Sequence, residues 1–317
     1  MSTGPGASPV HGASPVPGAG PGASPVPVPG VSAGKGGFDA LFRAAGVTGW
    51  LHALDVDTGR VVESGGDVPV PTASVFKLPL LVAFCRAADA GRLDPAERVT
   101  VPAAARVFGP TGISAMLDDV TMSLRDLAYL MIAVSDNTAA DALVARVGLD
   151  AVNAALADLG LRRTVVEHDC AGMFARMAED TGGEWPVTDP DVIARLRVLD
   201  PARTNRSTPR ETAELLAMIW RDEAAGPESC AWMRRLLGLQ VWPHRLSSGF
   251  PYDDVSVSGK TGTLPTLRAE VGVVEYPDGG RYAVAVFTRS FSPALNQPRA
   301  DAVIGTAARM AVDRLRG

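Results

Sequence analysis

The sequence predicts an α+β fold of two lobes, with an antiparallel sheet assembled from both chain ends and a helical segment inserted between them. Three observations carry this reading. Strand-like runs occur near the start and end of the chain, strong helix-start signals cluster in its middle, and 317 residues at 46% apolar composition can bury one sizeable domain or two intimate lobes. The sheet lobe is expected over about 38–73 and 250–317, the helical lobe over about 74–249, with a ligand-binding cleft between them.

The first 37 residues hold eight prolines, ten glycines and three copies of Gly-Ala-Ser-Pro-Val, beginning at Gly6, Gly12 and Gly22. Such composition favours extended or disordered chain, so a flexible tail is expected. After a short helix-like run from Phe38, residues 49–56 and 60–63 flank Asp57-Thr58-Gly59 as a hairpin. Ser123 followed by Asp126 is a capping-box pattern ahead of Leu124, Leu127, Met131 and Val134, which share one helical face. Thr208-Pro209-Arg210-Glu211 is a second start: Thr as N-cap, Pro at N1 and Glu reaching back from N3, opening a helix to about Trp220. Strands are expected over 255–260, 267–276 and 281–288, and a closing helix over 298–315.

Composition also excludes function classes. A net charge of −5 gives no electrostatic footprint for nucleic acid, and no stretch is long enough to span a bilayer. Neither a basic n-region nor an apolar h-region opens the chain, so a cytoplasmic location is expected, or secretion if the true N-terminus differs. Cys85, Cys170 and Cys230 are odd in number and widely spaced, which fits a reducing compartment and no structural metal. Cys85 should pack as a small apolar group. His168-Asp169-Cys170 could suggest a thiol nucleophile or a metal ligand, but so short a run is easily met by chance.

Of the thirty basic residues only three are lysine, and two of those fall in Ser74-Val75-Phe76-Lys77 and Lys260-Thr261-Gly262. Lysine, unlike arginine, can give up its proton at usable pH. Ser74 and Lys77 at i and i+3 share one face of a helix start, whose free N–H groups favour an alkoxide and an oxyanion and depress the amine pKa. An ordinary capped helix with a surface lysine meets the same pattern. Ser135-Asp136-Asn137 offers a proton relay in Ser135 and an amide in Asn137 that binds substrate and steadies Lys77, with Asp136 holding the loop; residues of these types also simply end helices. Lys260 and Thr261 suit a substrate carboxylate, Gly262 a close backbone approach, and the Thr263 N–H a second oxyanion donor, although a plain strand-end turn fits too.

In this order and separation the three motifs resemble those of the class A β-lactamases and related penicillin-binding enzymes. The resemblance runs from about Val47 to the C-terminus and takes in Gly109-Pro110-Thr111-Gly112-Ile113, Asp136-Asn137-Thr138-Ala139, Ser207-Thr208-Pro209 and the stretch from Thr263 to Val274. It implies a β-lactamase-like fold, an α/β lobe plus an all-α lobe, with no cofactor and no metal. Ser74, Lys77, Ser135 and Lys260 are the implied catalytic residues, with Asn137, Thr261, Gly262, Thr263 and Arg268 binding substrate.

Two positions depart from the family pattern. The Glu-x-x-Leu-Asn run whose Glu positions the deacylating water is absent, Cys170 falls near its place, and the stretch to Ser207 is unusually long. Glu167, Asp169, Glu179, Asp180 and Glu184 are candidate substitutes. Arg268 sits about one residue early for the carboxylate-binding arginine, behind Pro265. The expectation is a monomeric serine hydrolase that forms a Ser74 acyl-enzyme with a small carboxylate-bearing amide or ester, foremost a β-lactam, and holds it for long. An intracellular esterase or transacylase with the same acylation step, and a non-hydrolytic β-lactam- or peptide-binding module, are the rival readings.

Overall fold

The structure is a computed structural model and describes residues 36–317. The expected tail over 1–37 lies outside the described residues, apart from Gly36 and Gly37, which open helix α1 (Gly36–Ala44). Strands β1 (Val47–Asp55) and β2 (Val61–Ser64) follow. Their turn is set as expected: Asp55 Oδ1 accepts from the N–H groups of Asp57 and Thr58 at 3.0 Å each, and Gly59 takes φ +74°. Next come β3 (Val70–Pro71), a 3₁₀ turn over Ala73–Phe76, and α2 (Lys77–Asp89). The middle holds β4 (Arg98–Val101), β5 (Val120–Ser123), α3 (Leu124–Ala133), α4 (Asn137–Val147), α5 (Leu149–Asp158), α6 (Cys170–Thr181) and α7 (Pro190–Arg195). β6 (Arg206–Ser207), α8 (Pro209–Trp220) and α9 (Pro227–Gly238) lead to β7 (Ser256–Leu264), β8 (Leu267–Glu275), β9 (Arg281–Ser290) and α10 (Pro298–Arg316).

The sheet is antiparallel throughout, in the order β2-β1-β9-β8-β7, so the two chain ends meet where β1 pairs β9. Along β9, Tyr282, Val284 and Val286 join one apolar cluster with Phe38, Phe42 and α10, while Ala283, Ala285 and Phe287 join the other with α2, α3 and α8. A strand covered on both faces buries both alternating sets of side chains. The second cluster runs unbroken from the sheet into the helical segment, so the two lobes share one core.

Strands are not confined to the chain ends. β4 pairs β5 within the middle, and β6, also in the middle, pairs β3 from before it, in two small two-stranded sheets. They are too short to carry a legible alternation of period two. Both expected caps are present: Ser123 Oγ accepts from Asp126 N at 3.2 Å and Thr208 Oγ1 from Glu211 N at 3.1 Å. Glu211 does not reach back to Thr208. Its carboxylate accepts instead from Arg163 N and from Thr164 Oγ1, the latter at 2.6 Å, which ties α8 to the chain before α6.

The long stretch between Val165 and Arg206 folds as α6, α7 and a 3₁₀ turn over Arg197–Leu199. Its Met177, Val187, Ile193, Leu196, Val198 and Leu199 pack on Ala73, Leu264 and Leu267, beside the Ser74 turn and the β7–β8 hairpin. No helix among the described residues is long and apolar enough to cross a membrane.

Candidate active site

Ser74 lies on the 3₁₀ turn, and Lys77 begins the α-helix that follows it. In a 3₁₀ turn residues i and i+3 eclipse, which puts Ser74 and Lys77 on one face, while the hydrogen bonds of Lys77 Nζ go to Ser135 and Asn137 and not to the Ser74 hydroxyl. The Ser74 N–H, near the start of a helical run, has no carbonyl behind it within that run. Ala73 before it takes φ 46°, and Ser135 takes φ 61°, left-handed geometries that cost a residue with a Cβ and gather where surroundings enforce them.

Lys77 is fully buried, and its Nζ donates to Ser135 O and Asn137 Oδ1 at 2.7 Å each, with Ser135 Oγ at 3.4 Å. Burial pushes its pKa below that of a free lysine. A neutral amine has two N–H bonds for those two short contacts and keeps a lone pair to accept a proton. Lys260, also fully buried, donates to Ser135 Oγ at 2.8 Å and to Thr261 O at 2.9 Å. Burial, and then the charge of Lys77, hold its pKa well below the usual lysine value. The Ser135 hydroxyl therefore lies between two amines whose protons are loosened by the same low-dielectric surroundings.

Asp136 is buried and holds the loop. Its carboxylate accepts from Ile113 N at 2.5 Å, Ser114 Oγ at 3.0 Å and Ala139 N at 3.1 Å, the last bond capping α4. A Cβ on Gly112, which takes φ +60°, would come within 2.2 Å of that carboxylate. Asn137 Nδ2 donates to Phe108 O at 2.7 Å, leaving one amide hydrogen for a ligand.

The Lys-Thr-Gly motif lies inside β7, which runs on to Leu264, and does not end a strand. β7 is the sheet's edge strand. Thr261 N donates off that edge to Gln240 Oε1 at 2.7 Å, so the Thr263 N–H, two residues on, points off the same edge. Gly262 is required by packing: a Cβ there would lie 2.8 Å from Thr72 O, which brings the strand against the Ser74 turn. The close approach is of backbone to backbone.

Arg268 lines the cleft, but its guanidinium is bound to the Leu264, Leu267 and Leu295 carbonyls at 2.6 to 3.0 Å. Arg245, which carried no motif, lines the same cleft and is bound as closely, its Nη1 donating to the Gly262 and Ala269 carbonyls at 2.9 and 3.0 Å. Arg245 Nη2 donates to Thr263 Oγ1 at 2.8 Å, which frees the Thr263 hydroxyl hydrogen for an anion, and its Nε pairs with Asp301 at 2.7 Å. Asp301 also lies 3.6 Å from Arg268 Nε, so two cations share one anion at this wall.

Ser74, Ser135, Asn137, Thr261, Thr263, Arg245 and Arg268 line one cleft of about 450 Å³, together with Phe108, Phe174, Trp185 and His244. Among the described residues no carboxylate lines it. Glu167 pairs with Arg206, Asp169 caps α6, Glu179 and Asp180 both bind Arg197, and Glu184 lies exposed outside the cleft. In their stead Cys170, at the first position of α6, sets its Sγ 3.5 Å from Asn137 Oδ1. Burial raises this thiol to about 12, so it is a protonated, poor nucleophile. Cys85 and Cys230 are buried and unpaired, and no metal-binding group of His, Cys, Asp and Glu is found among the described residues.

A family model described as the β-lactamase enzyme family matches residues 37–315. The β-lactamase regulatory protein BlaB of Streptomyces cacaoi is 34% identical over 303 residues, which cover 88% of this chain and 96% of that protein. A β-lactamase from Sphaerobacter thermophilus superposes with a TM-score of 0.71 at 29% identity, covering 87% of this chain and 97% of its own. A variant of PBP-A seen as an acyl-enzyme with penicillin G gives 0.73 at 25% identity, covering 89% and 96%. With motifs, fold and family model in agreement over nearly all the described residues, the chain belongs to the β-lactamase enzyme family and has the class A β-lactamase-like fold.

Proposed function

We propose that this protein forms an acyl-enzyme at Ser74 with a small anionic amide or ester, foremost a β-lactam, and releases it slowly. The observation that carries the first half is the Ser135 hydroxyl between Lys77 and Lys260 in the cleft that Ser74 lines. Neutral Lys77 takes the Ser74 proton as the oxygen attacks the acyl carbon. The Ser74 and Thr263 N–H groups receive the oxyanion. As the intermediate collapses, Ser135 gives its proton to the leaving nitrogen or oxygen and takes in its place the one Lys77 received from Ser74, which restores the neutral amine, while Lys260 holds the Ser135 oxygen. Arg245, Thr261 and Thr263 hold the substrate carboxylate, and Arg268 adds positive charge behind them. The Arg245 cation comes from the loop before β7 and the carboxylate-binding hydroxyls from β7 itself, so they meet only in the fold.

The second half lacks the family's carboxylate base. With no carboxylate among the described residues lining the cleft, water has no carboxylate to activate it against the Ser74 ester, and the acyl group persists. That persistence, and the likeness to a β-lactamase regulatory protein of Streptomyces, favour a second reading in which the acylated protein itself is the product, as a sensor of β-lactams.

The test follows intact mass and chromogenic hydrolysis together, with a penicillin and a cephalosporin. The expected result is a stoichiometric adduct on Ser74 that decays over minutes or longer and is absent in Ser74→Ala. An adduct that survives Ser74→Ala refutes the mechanism, and fast turnover without an adduct refutes slow release. Added amines or alcohols that shorten the adduct's life would make the protein a transacylase.

A further inference from the structure

Glu270 lies outside the cleft, buried completely in the sheet on β8 opposite Thr261 of β7. Its Oε2 accepts from Leu246 N and its Oε1 from Gln240 Nε2, both at 2.6 Å. Gln240 Oε1 in turn accepts from Thr261 N at 2.7 Å, off the open edge of β7. A backbone N–H can only donate, so it turns the Gln240 oxygen toward the strand and the amide hydrogens toward the acid. Every bond of the chain therefore runs in one sense, and the carboxylate accepts at its end. The fold leaves room for it. A Cβ on Gly259 would stand 3.2 Å from Glu270 Oε1, and one on Gly272, its partner across the ladder, 2.8 Å from Leu246 Cδ2. Gln240 and Leu246 bracket the loop that carries Arg245, and Val241 N ties that loop to Ala133 O at 3.1 Å, two residues before Ser135.

We infer that Glu270 is a positioning residue for the anion-binding wall: its carboxylate locks the β7 edge that presents Thr261 and Thr263 to the loop that presents Arg245. This deepens the Ser74 acyl-enzyme reading and rests on its anionic substrate. A buried carboxylate is costly unless donors meet it, and here one arrives from each of the two elements to be joined. With the Thr261 amide taken by Gln240, the next N–H along the edge is that of Thr263, two residues on. Arg245 is gripped at its tip by the Gly262 and Ala269 carbonyls and at its root by the Leu246 bond to Glu270. Tip and root are thus held on one strand pair, which fixes the spacing between the guanidinium and the Thr263 hydroxyl that a single substrate carboxylate must span.

The test measures binding by calorimetry in a Ser74→Ala background, which cannot be acylated, at a pH above the value of about 7 to which burial raises the Glu270 carboxyl. Benzylpenicillin supplies the carboxylate, and its methyl ester lacks it. Glu270→Gln keeps the shape but turns a donor toward the Gln240 amide, and Gln240→Met cuts the chain without touching a charge. Each should weaken benzylpenicillin by about tenfold, the scale of one lost charge-assisted hydrogen bond, and leave the ester within about twofold. Glu270→Gln combined with Gln240→Glu restores the sense of every bond, because the new carboxylate accepts from both the Gln amide and Thr261 N, and should recover binding to within about threefold. Charge alone predicts the opposite sign, since Glu270→Gln removes a negative charge near Arg245 and Lys260. Tighter binding of benzylpenicillin in that variant, equal losses for the ester, or no recovery in the double variant overturns the inference. If Glu270→Gln does not fold, Gln240→Met carries the comparison, and unchanged binding there overturns it. Intact mass of the protein with Ser74 in place keeps the two readings apart. The binding pattern without a Ser74 adduct upholds the positioning role and refutes the acyl-enzyme, and an adduct without the pattern does the reverse.

Discussion

Cys170 Sγ lies 3.5 Å from the Asn137 Oδ1 that accepts from Lys77 Nζ at 2.7 Å, so the thiol stands at the edge of the acylation machinery, where a carboxylate would activate water. Its environment is prepared for negative charge in part and against it in part. The first turn of α6 favours an anion, while Asp141, which accepts from the Cys170 and Ala171 N–H groups at 2.7 and 2.8 Å, already takes those donors. Burial raises the Asp141 carboxyl to about 6, a sign of how little room there is for a second charge.

Replacing Cys170 by Glu puts a carboxyl beside Asn137 whose pKa burial would raise, as it raises Asp141, toward the range of a general base, and should convert a long-lived adduct into turnover. We expect deacylation of the β-lactam adduct to accelerate by about 100-fold, the low end of what a placed general base contributes. Cys170→Ser, which supplies a hydroxyl and no base, should leave the adduct's lifetime within about threefold. Decay of the adduct by intact mass reads both. A Glu variant that folds but releases no faster would show that water, and not only its base, is excluded from this face.

The pH dependence of acylation follows from Lys77. Its pKa is lowered chiefly by burial, and the reactive form is the neutral amine, so the acylation rate should rise with pH and level off after an inflection below the ordinary lysine value of 10.5. Lys77→Arg keeps the cation and removes the base, since a guanidinium does not deprotonate in this range. Acylation in that variant should fall by about 100-fold or more and lose the inflection. Stopped-flow acylation between pH 5 and pH 10 measures both, and an unchanged profile would move the base to another residue.

How much of this was legible in the sequence depends on whether a residue's place is set locally. Ser74 and Lys77 are three apart on one helix start, and Asp136 and Asn137 cap the next, so their roles could be read from spacing. Arg245 could not be found that way. It follows Trp242, Pro243 and His244 in a loop without periodicity, and it reaches Thr263 only because that loop folds back on β7. Arg268 sits at a strand position that suited the role, with its guanidinium on three carbonyls, and differs from Arg245 in making no bond to Thr263. Phe108, Phe174 and Trp185 line the cleft from the loop before α3 and the stretch after Val165, which no local pattern connects.

Asp136 should matter to the fold more than to the chemistry. Asp136→Ala removes a helix cap and leaves the Ile113 N–H and the Ser114 hydroxyl without their buried acceptor, a loss of about 3 kcal/mol in all. Asp136→Asn keeps one oxygen and turns a donor toward another donor, so it should fall between. Urea unfolding with unchanged m-values reads the difference, and a loss below about 0.5 kcal/mol for the alanine variant would mean that the loop finds other partners.

Gly262 offers a way to separate nucleophile placement from nucleophile chemistry. Its missing side chain lets β7 approach Thr72, with Val75 Cγ2 at 3.1 Å and Thr72 O at 2.8 Å from where a Cβ would stand. A backbone oxygen cannot swing aside as a flexible side chain can. Gly262→Ala must then push the edge strand from the Ser74 turn and widen the gap between the Thr263 and Ser74 N–H groups that receive the oxyanion. A shift of a few tenths of an ångström weakens two hydrogen bonds that act only in the transition state, so acylation should drop by at least about tenfold. Substrate affinity should change far less, because the carboxylate contacts at Arg245 and Thr263 move together with the strand. Separate measurement of the binding constant and the acylation rate constant decides the matter. A loss confined to binding would place the oxyanion donors elsewhere.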